Sequence, residues 1–414
     1  MGQPTVSEQA RELPVRGGFD VLVAGGGMAG VSAAVSAARN GASVCLIEKA
    51  CCLGGLATLG VVTIWLPLCD GRGRQVIAGL PEELLKLSVS DLTENDLRAR
   101  FVGVPSCWLA GGDTEQRKRT RYRAEFNPSS YLLALEELLI DEGVSLLYDT
   151  RVCGVAREGG RIGHVIVENK QGRSALACLC VIDATGDADV CFLAGERTES
   201  LDTNVPAGWF YHLSGRRLVL NKLSNPYCPR ATKEDAVGPF HRADRAEEVT
   251  EHLIETRRLI RARLAEIRAE QEDGDVQPVL LPTIPCFRMT RRLVGAFSLN
   301  ERHVNEWFDD TIGLTGDWRE PGPVYALPFR AIAGQANRNL LAVGRCISAD
   351  RTVWDVTRAI PACTVTGAAA GTAAAMASQN TGGDLAKLSM AEMRERLTEQ
   401  GALIDPALVK QAGR

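Results

Sequence analysis

Residues 19–58 read FDVLVAGGGMAGVSAAVSAARNGASVCLIEKACCLGGLAT. The run from Val21 to Ala24 is short, apolar and rich in β-branched residues, and glycine follows it. That pattern predicts a buried parallel strand. Glycines at 25, 27 and 30 then fall in a G-x-G-x-x-G frame, inside Gly25-Gly26-Gly27-Met28-Ala29-Gly30. A helix of small residues is expected from about Met28 to Asn40, with Gly41 as its stop. A second strand is expected from Ser43 to Ile47, ending at Glu48. In such a unit the first glycine makes the tight turn, the second lets a pyrophosphate approach bare backbone, and the third brings helix and sheet close. The helix N-terminus offers N–H groups and partial positive charge to phosphate. Glu48 lies 23 residues after Gly25, where a carboxylate can accept from a ribose hydroxyl. A glycine-rich turn with no ligand would account for the glycines but not for Glu48.

Working outward, the 414 residues are 45% hydrophobic with a net charge of −4, ample for a large core in one big or two interleaved domains. A slightly acidic chain without a basic block argues against nucleic acid as the partner. The short basic run Arg117-Lys118-Arg119, with Arg121, reads as a solvated loop face. Residues 1–17 are polar, have no apolar core of a signal peptide, and are expected to be a disordered lead-in. Two nearly chargeless stretches, 21–38 and 359–377, are rich in glycine and alanine. They fit a cofactor-facing fold better than a membrane span. The 13 cysteines are scattered without a C-x-x-C, and the five histidines form no H-E-x-x-H. The expectation is therefore a reducing, cytoplasmic setting, no redox disulfide and no metal.

Along the chain, Val61–Leu68 reads as a strand, and Leu80–Leu87 as a short helix with Pro81 in its first turn. Residues 70–123 are expected to be an excursion. Asn127 is the plausible cap of a helix carrying Leu132, Leu135, Leu138 and Leu139 at helical spacing. Runs at 151–156, 162–169 and 175–182, separated by glycine turns, predict a three-stranded meander. It returns through Val181-Ile182-Asp183 to Ala184-Thr185-Gly186-Asp187. Asp187 and Asp189 read as part of a capped turn rather than a metal pair. Residues 201–324 shift in composition and suggest an inserted substrate or cap domain. It would hold a strand at Trp209–Leu213, a long charged helix at 242–271, a strand from Pro285 to Val294, and a helix near 300–308. The end restores the opening pattern. A strand at 339–343 meets Gly344-Arg345, a loop spans 346–357, and a small-residue helix begins near Pro361-Ala362-Cys363. The tail, 381–414, reads as partly helical.

Beyond Glu48, the run Lys49 to Gly54-Gly55-Leu56-Ala57-Thr58 resembles the adenine-side motif of FAD enzymes of the glutathione-reductase and succinate-dehydrogenase superfamily. Further segments share that pattern: Ala184-Thr185-Gly186-Asp187, the arginine-rich 288–295, and 344–350 with 360–371. Over nearly its whole length the chain resembles the FAD-dependent oxidoreductase family of stand-alone flavoproteins related to the succinate dehydrogenase and fumarate reductase flavoproteins. The resemblance implies an α/β fold. A two-dinucleotide-binding-type, Rossmann-like FAD domain (18–200 and 325–380) would carry the β-meander and the inserted α+β cap. It implies non-covalent FAD near Gly25, Gly27, Met28, Ala29, Gly30, Glu48, Lys49, Gly54, Gly55, Leu56, Ala57, Thr58, Val152, Ala184, Thr185, Gly186, Gly344, Arg345, Asp350 and Cys363. The helix at 360–378 would point its positive end at the flavin ring, favouring a reduced, anionic flavin.

The expected activity is hydride transfer between the flavin and a small polar substrate, one that could carry a carboxylate. No second G-x-G-x-x-G is present, so the electron donor or acceptor is expected to be external. A homo-oligomer is left open. Arg291 and Arg288 are candidates for a substrate clamp: on a 285–294 strand Arg291 shares an apolar face with Phe287, Met289 and Leu293, where an arginine needs an anion, while Arg288 lies on the other face with Thr290 and Arg292; an internal salt bridge is the competing reading. Tyr211 and His303 are weaker candidates for proton transfer. A flavin-dependent monooxygenase and a non-catalytic flavin-binding subunit are the alternative functions.

Overall fold

A computed structural model describes residues 5–7, 9–93, 101–225, 238–270 and 276–410. Its centre is the predicted βαβ unit. Strand β1 (Val15–Ala24) leads into helix α1 (Met28–Arg39), which returns to strand β2 (Val44–Ile47). β1 and β2 pair in parallel with Val21 opposite Val44 and Ala24 opposite Ile47, and all four residues of β2 are buried. Sheets covered on both faces read as continuous apolar runs, which is why Val21–Ala24 shows no alternation.

The main sheet has seven strands. Ser145–Leu147 pairs with β2, and Gly172–Asp183 pairs with β1 on its other side. The long 172–183 strand changes partners along its length. Its first half pairs antiparallel with Arg161–Asn169, which pairs in turn with Arg151–Glu158. Its last three residues pair in parallel with Leu340–Ala342. The meander is thus an extension of the central sheet, and it delivers the chain to Ala184 beside the end of β1.

The helix Ile360–Asn380 lies against α1. It is long and apolar enough to cross a membrane by length and composition, and 89% of that stretch is buried inside the protein. Small residues make its seam with α1. A Cβ on Gly367 would strike the carbonyl oxygen of Ala29 in α1, and one on Gly371 that of Ala33. Ser32 and Ser36 in α1 donate to the carbonyls of Thr364 and Ala368, each at 2.7 Å.

Residues Ala207–Ser214, Arg217–Ser224 and Val276–Leu280 form a separate three-stranded sheet, backed by the long helix Ala246–Glu270. Phe210, Ile260, Leu264, Ile267 and Val276 give it a small core of its own.

Several expectations need correction. β1 begins at Val15, which pairs with Ala175, so ordered structure starts inside the expected lead-in; residues 1–4 and 8 lie outside the described residues. The cap boundary at 324 falls within a hairpin, Thr311–Gly316 with Val324–Pro328, whose Ile312, Leu314 and Val324 belong to the main core. The 285–294 stretch is a strand only at Arg291–Leu293, paired with Thr198–Ser200. The 300–308 segment holds one turn of helix, Glu301–His303, and Val61–Leu68 only the short strand Ile64–Trp65. The loop at 346–357 contains a helix, Arg351–Thr357. Parts of the 70–123 excursion and the residue ending the long charged helix, Gln271, lie outside the described residues.

Candidate active site

Gly25 leaves β1 at φ 107°, a conformation that only glycine adopts without steric cost. Gly27 is the N-cap of α1 and supplies no side-chain acceptor, so the first N–H groups of the helix have none. A Cβ at Gly27 would meet no atom within 4 Å. Gly55 faces this bare backbone, since its own Cβ would come within 3.1 Å of Gly27 Cα. The two glycine segments are joined by the Gly54 N–H donating to the Gly26 carbonyl at 2.8 Å. Glu48 closes this corner. Its Oε2 accepts from the Gly26 N–H at 2.6 Å and its Oε1 from the Ala50 N–H at 2.7 Å. Each carboxylate oxygen retains acceptor capacity for a hydroxyl.

These residues line a cleft of about 390 Å³. A smaller pocket adjoins it through Gly25, Glu48, Lys49 and Arg151, and adds Val152 and Asp189. Elsewhere the cleft is lined by Gly344, Arg345, Arg358, Ile360 and Cys363, with Ile284, Pro285 and Phe287. Gly344, Ala29 and Cys363 converge, for a Cβ on Gly344 would lie 2.9 Å from Ala29 Cβ and 3.4 Å from Cys363 Sγ. Arg345 ties three segments together. Its Nε donates to the Gly186 carbonyl (3.1 Å), its Nη1 to the Phe287 carbonyl (2.6 Å), and its Nη2 lies 3.3 Å from Asp187 Oδ1. Burial pushes the Cys363 thiol up to about 12, against the opposing pull of Arg345 and Arg358. It is a neutral thiol at physiological pH.

A sequence model of the family described as FAD dependent oxidoreductase matches residues 20–203 and 212–397. The chain belongs to this family. FAD is its cofactor and oxidoreduction its class of chemistry. Among curated proteins no sequence matches the chain. Among solved structures, the chain is similar to a geranylgeranyl bacteriochlorophyll reductase-like protein from Thermoplasma acidophilum. That similarity is 14% identity at TM-score 0.45, over 92% of this chain and 84% of the other. The Mycobacterium smegmatis Sdh1 complex gives 13% identity at TM-score 0.46, over 92% and 72%. A 3-ketosteroid delta1-dehydrogenase from Sterolibacterium denitrificans gives 14% identity at TM-score 0.31, over 49% and 59%.

The residues of this flavoenzyme fit its dinucleotide. The Gly27 position leaves open space, and α1 presents its first N–H groups without a side-chain cap. Of the positions expected near FAD, Gly25, Gly27, Met28, Ala29, Glu48, Lys49, Gly54, Gly55, Leu56, Ala57, Ala184, Thr185, Gly186, Gly344, Arg345 and Cys363 line the cleft. Val152 lines the adjoining pocket. Three do not line either. Gly30 brings α1 onto the Gly25 carbonyl. The Thr58 hydroxyl donates to the Leu53 carbonyl. Asp350 caps the 351–357 helix by accepting from the Val353 N–H at 2.8 Å.

None of the four catalytic candidates lines the cleft. Arg291 is buried in an ion pair with Asp189 at 2.5 Å and donates to the Asp187 carbonyl at 2.9 Å. That is the salt bridge weighed against the clamp. Arg288 donates to Ser224 Oγ at 2.8 Å. The Tyr211 hydroxyl is buried against Thr63 Oγ1 at 2.6 Å, and burial pushes it up to about 12. His303 accepts from the Asn300 N–H at 3.1 Å in a capping box and packs between Phe297 and Phe308. Burial and the neighbouring Asp187 and Asp183 push Asp189 up to about 6, with Arg291 pulling the other way.

Sequence reasoning missed Phe287, Pro285 and Arg358 as cleft residues. For Arg358 one signal was present. A cation two residues before a long helix sits at its positive end, which disfavours cations.

Proposed function

We propose that this flavoenzyme dehydrogenates or reduces a small polar substrate held where Ile284, Pro285 and Phe287 line the cleft. The observation that supports this is continuity: one cavity joins the glycine cradle of residues 25–27 and 54–55 to those apolar side chains and to Arg345 and Arg358. Bound FAD supplies two-electron chemistry. The chain supplies the rest. Gly25, Gly27 and Gly55 give the diphosphate bare backbone, and Glu48 accepts from the adenosine ribose. Pro285 and Phe287 exclude water from the substrate. Arg345 fixes the 186–187 turn to the Phe287 carbonyl, so the cradle and the substrate wall hold one spacing. The Cys363 thiol, kept neutral by burial, packs and does not attack. Electrons enter or leave through an external donor or acceptor.

The test is anaerobic bleaching of the bound flavin by a panel of small alcohols, amines and hydroxy acids, with reoxidation of reduced enzyme by ketones, imines and unsaturated acids. One class is expected to change the redox state in one direction. If none does, while dithionite bleaches the flavin normally, the substrate reading fails. Oxygen incorporation into a product would replace it with a hydroxylase.

A further inference from the structure

The basic run at 117–119 does not stand alone. The loop at 71–74 packs against it, for a Cβ on Gly73 would lie 3.1 Å from Lys118 Cγ, and one on Gly71 would strike the Arg121 guanidinium. Arg72 in turn lies over Gly322, where a Cβ would come within 2.7 Å of its Nη2. The fold thus gathers Arg72, Arg74, Arg117, Lys118, Arg119 and Arg121 on one face. Arg74 is neutralised by Asp70 at 2.7 Å, and Lys118 by Glu115 at 2.7 Å. Arg72, Arg117, Arg119 and Arg121 form no ion pair among the described residues. Arg121 Nη1 is buried with no hydrogen-bond partner, which is costly for a guanidinium edge. Arg117 is fixed by donating from Nε to the Cys107 carbonyl at 2.6 Å, and it lies 5.1 Å above the Trp108 ring, which stacks on Tyr122.

On a chain whose net charge is −4, such a concentration of cations steers an acidic surface to this face. Arginines already held in place beside packed aromatic rings are what protein interfaces draw most of their binding energy from. Leu109, next to Trp108, is 48% exposed. One exposed leucine is too little apolar surface to seat in a bilayer, and a small anion would meet one or two of these cations and leave the rest unpaired. The face also leads to the cleft. The Gly322 N–H donates to the Asp70 carbonyl at 2.7 Å, and the Asp317 N–H to the Pro323 carbonyl at 3.0 Å. Arg319 pairs with Asp317 at 2.7 Å and lies 3.9 Å from Asp355, which holds Arg358 of the cleft wall.

We infer that this basic face docks an acidic electron-carrier protein, the external donor or acceptor of the flavoenzyme. Two one-electron carriers balance the two electrons of the flavin, and its proton is exchanged with solvent. The inference rests on the dehydrogenase-or-reductase reading and adds its protein partner.

The experiment measures binding of fluorescently labelled flavodoxin and plant-type ferredoxin, both acidic one-electron carriers, to FAD-loaded enzyme at low and high salt. Basic cytochrome c is the reverse-charge control. The acidic carriers are expected to bind at low salt and to lose affinity at least tenfold at high salt, and cytochrome c to bind at least tenfold more weakly. Reduced ferredoxin is expected to bleach the bound flavin. Arg72→Glu combined with Arg119→Glu, both at exposed positions, is expected to weaken binding and slow bleaching tenfold or more at unchanged FAD content. Arg121→Gln should give a smaller loss in the same direction. Arg257→Glu combined with Arg261→Glu makes the same charge change on the exposed side of the Ala246–Glu270 helix and should alter neither by more than twofold. The inference is overturned by equal binding of cytochrome c, by a patch variant that superimposes on wild type, by a remote pair that weakens binding as much, or by binding without bleaching. Sedimentation with phosphatidylserine vesicles through Arg72 and Arg119, with both carriers ignored, would make the face a membrane contact and overturn it too. An enzyme bleached by a small substrate but indifferent to the acidic carriers refutes this inference and leaves the dehydrogenase-or-reductase reading standing. An enzyme that binds the carriers through this face but is bleached by no small substrate refutes that reading instead.

Discussion

Two glycines of one motif, three residues apart, are expected to fail in opposite ways. Gly27 sits at φ −69°, an ordinary value for any residue, and a Cβ there would meet nothing within 4 Å. Gly27→Ala therefore adds no clash to the apoprotein. The N-cap preference for glycine over alanine costs about 1 kcal/mol or less, and the lower entropy of the unfolded chain returns about 0.4–1 kcal/mol. The melting temperature of apoprotein should hardly move. The same methyl occupies the space kept bare beside the α1 N-terminus, so the diphosphate is pushed off its donors. Losing one charge-assisted hydrogen bond costs about 1.5–3 kcal/mol, a roughly ten- to hundredfold weaker FAD affinity. Gly30→Ala is the converse. Its Cβ would land on the Gly25 carbonyl oxygen and within 3.1 Å of Ala184 Cβ. The helix must then shift off the sheet, at a cost of about 1–3 kcal/mol or more. Apoprotein melting and fluorescence-monitored FAD reconstitution of the two variants measure both effects. Gly27→Ala binding FAD within twofold of wild type would refute the placement of the phosphates, as would an apoprotein melt as depressed as that of Gly30→Ala.

Glu48→Ala should lower both FAD affinity, by at least about tenfold, and apoprotein melting, because the carboxylate also binds two backbone N–H groups; a loss confined to affinity would show that those bonds are dispensable. Arg291→Met breaks the pair with Asp189 and is expected to cost about 1–3 kcal/mol, below the fully buried range because Asp189 is partly exposed. Urea melts should show this loss, and unchanged stability with lost turnover would restore Arg291 as a clamp. Stability should also fall on acidification through His252. Burial holds its ring down to about 4 against an ordinary 6.5, with His241 and Arg288 adding to the depression and the Val205 carbonyl opposing it. The unfolded chain thus takes up the proton first. The contribution is complete above pH 6.5 and is lost toward pH 4, in total roughly 3 kcal/mol. Asp189 titrates in the opposite sense over part of that window, so the measurement is the difference between wild type and His252→Asn in melting temperature from pH 7 to 4. Parallel profiles would show that His252 is not the group.

The βαβ unit, the meander and the Asn127 cap were legible because each rests on local chemistry. Apolar runs, glycine frames and a side-chain acceptor act within a few residues. The 351–357 helix was not legible. Thr352, Val353, Val356 and Thr357 are β-branched and poor helix formers, and burial of Val353, Trp354 and Val356 overrides that preference. The 285–290 stretch alternates like a strand, yet the N–H groups of Arg288 and Met289 donate to the Asn204 side chain instead of a ladder. Arg291 looked like a substrate ligand because its partner, Asp189, is 102 residues away and no spacing rule connects them. The glycine cradle was readable for the opposite reason: its parts follow one another along the chain. Arg358 and Phe287 reach the same cleft from segments whose proximity is set by tertiary packing alone.

The seam between α1 and the 360–380 helix joins residues more than 330 positions apart, as the bonds of Ser32 and Ser36 show. Contacts of such separation pay their loop-closure entropy late. During synthesis the glycine cradle leaves the ribosome roughly 300 residues before Gly344, Arg358 and Cys363. Over that interval a nascent chain carries the glycine cradle without the segments that complete the cleft. FAD captured at that stage would be held by one end only. A cleft closed on both sides thus requires the docking of Gly367 and Gly371 onto α1.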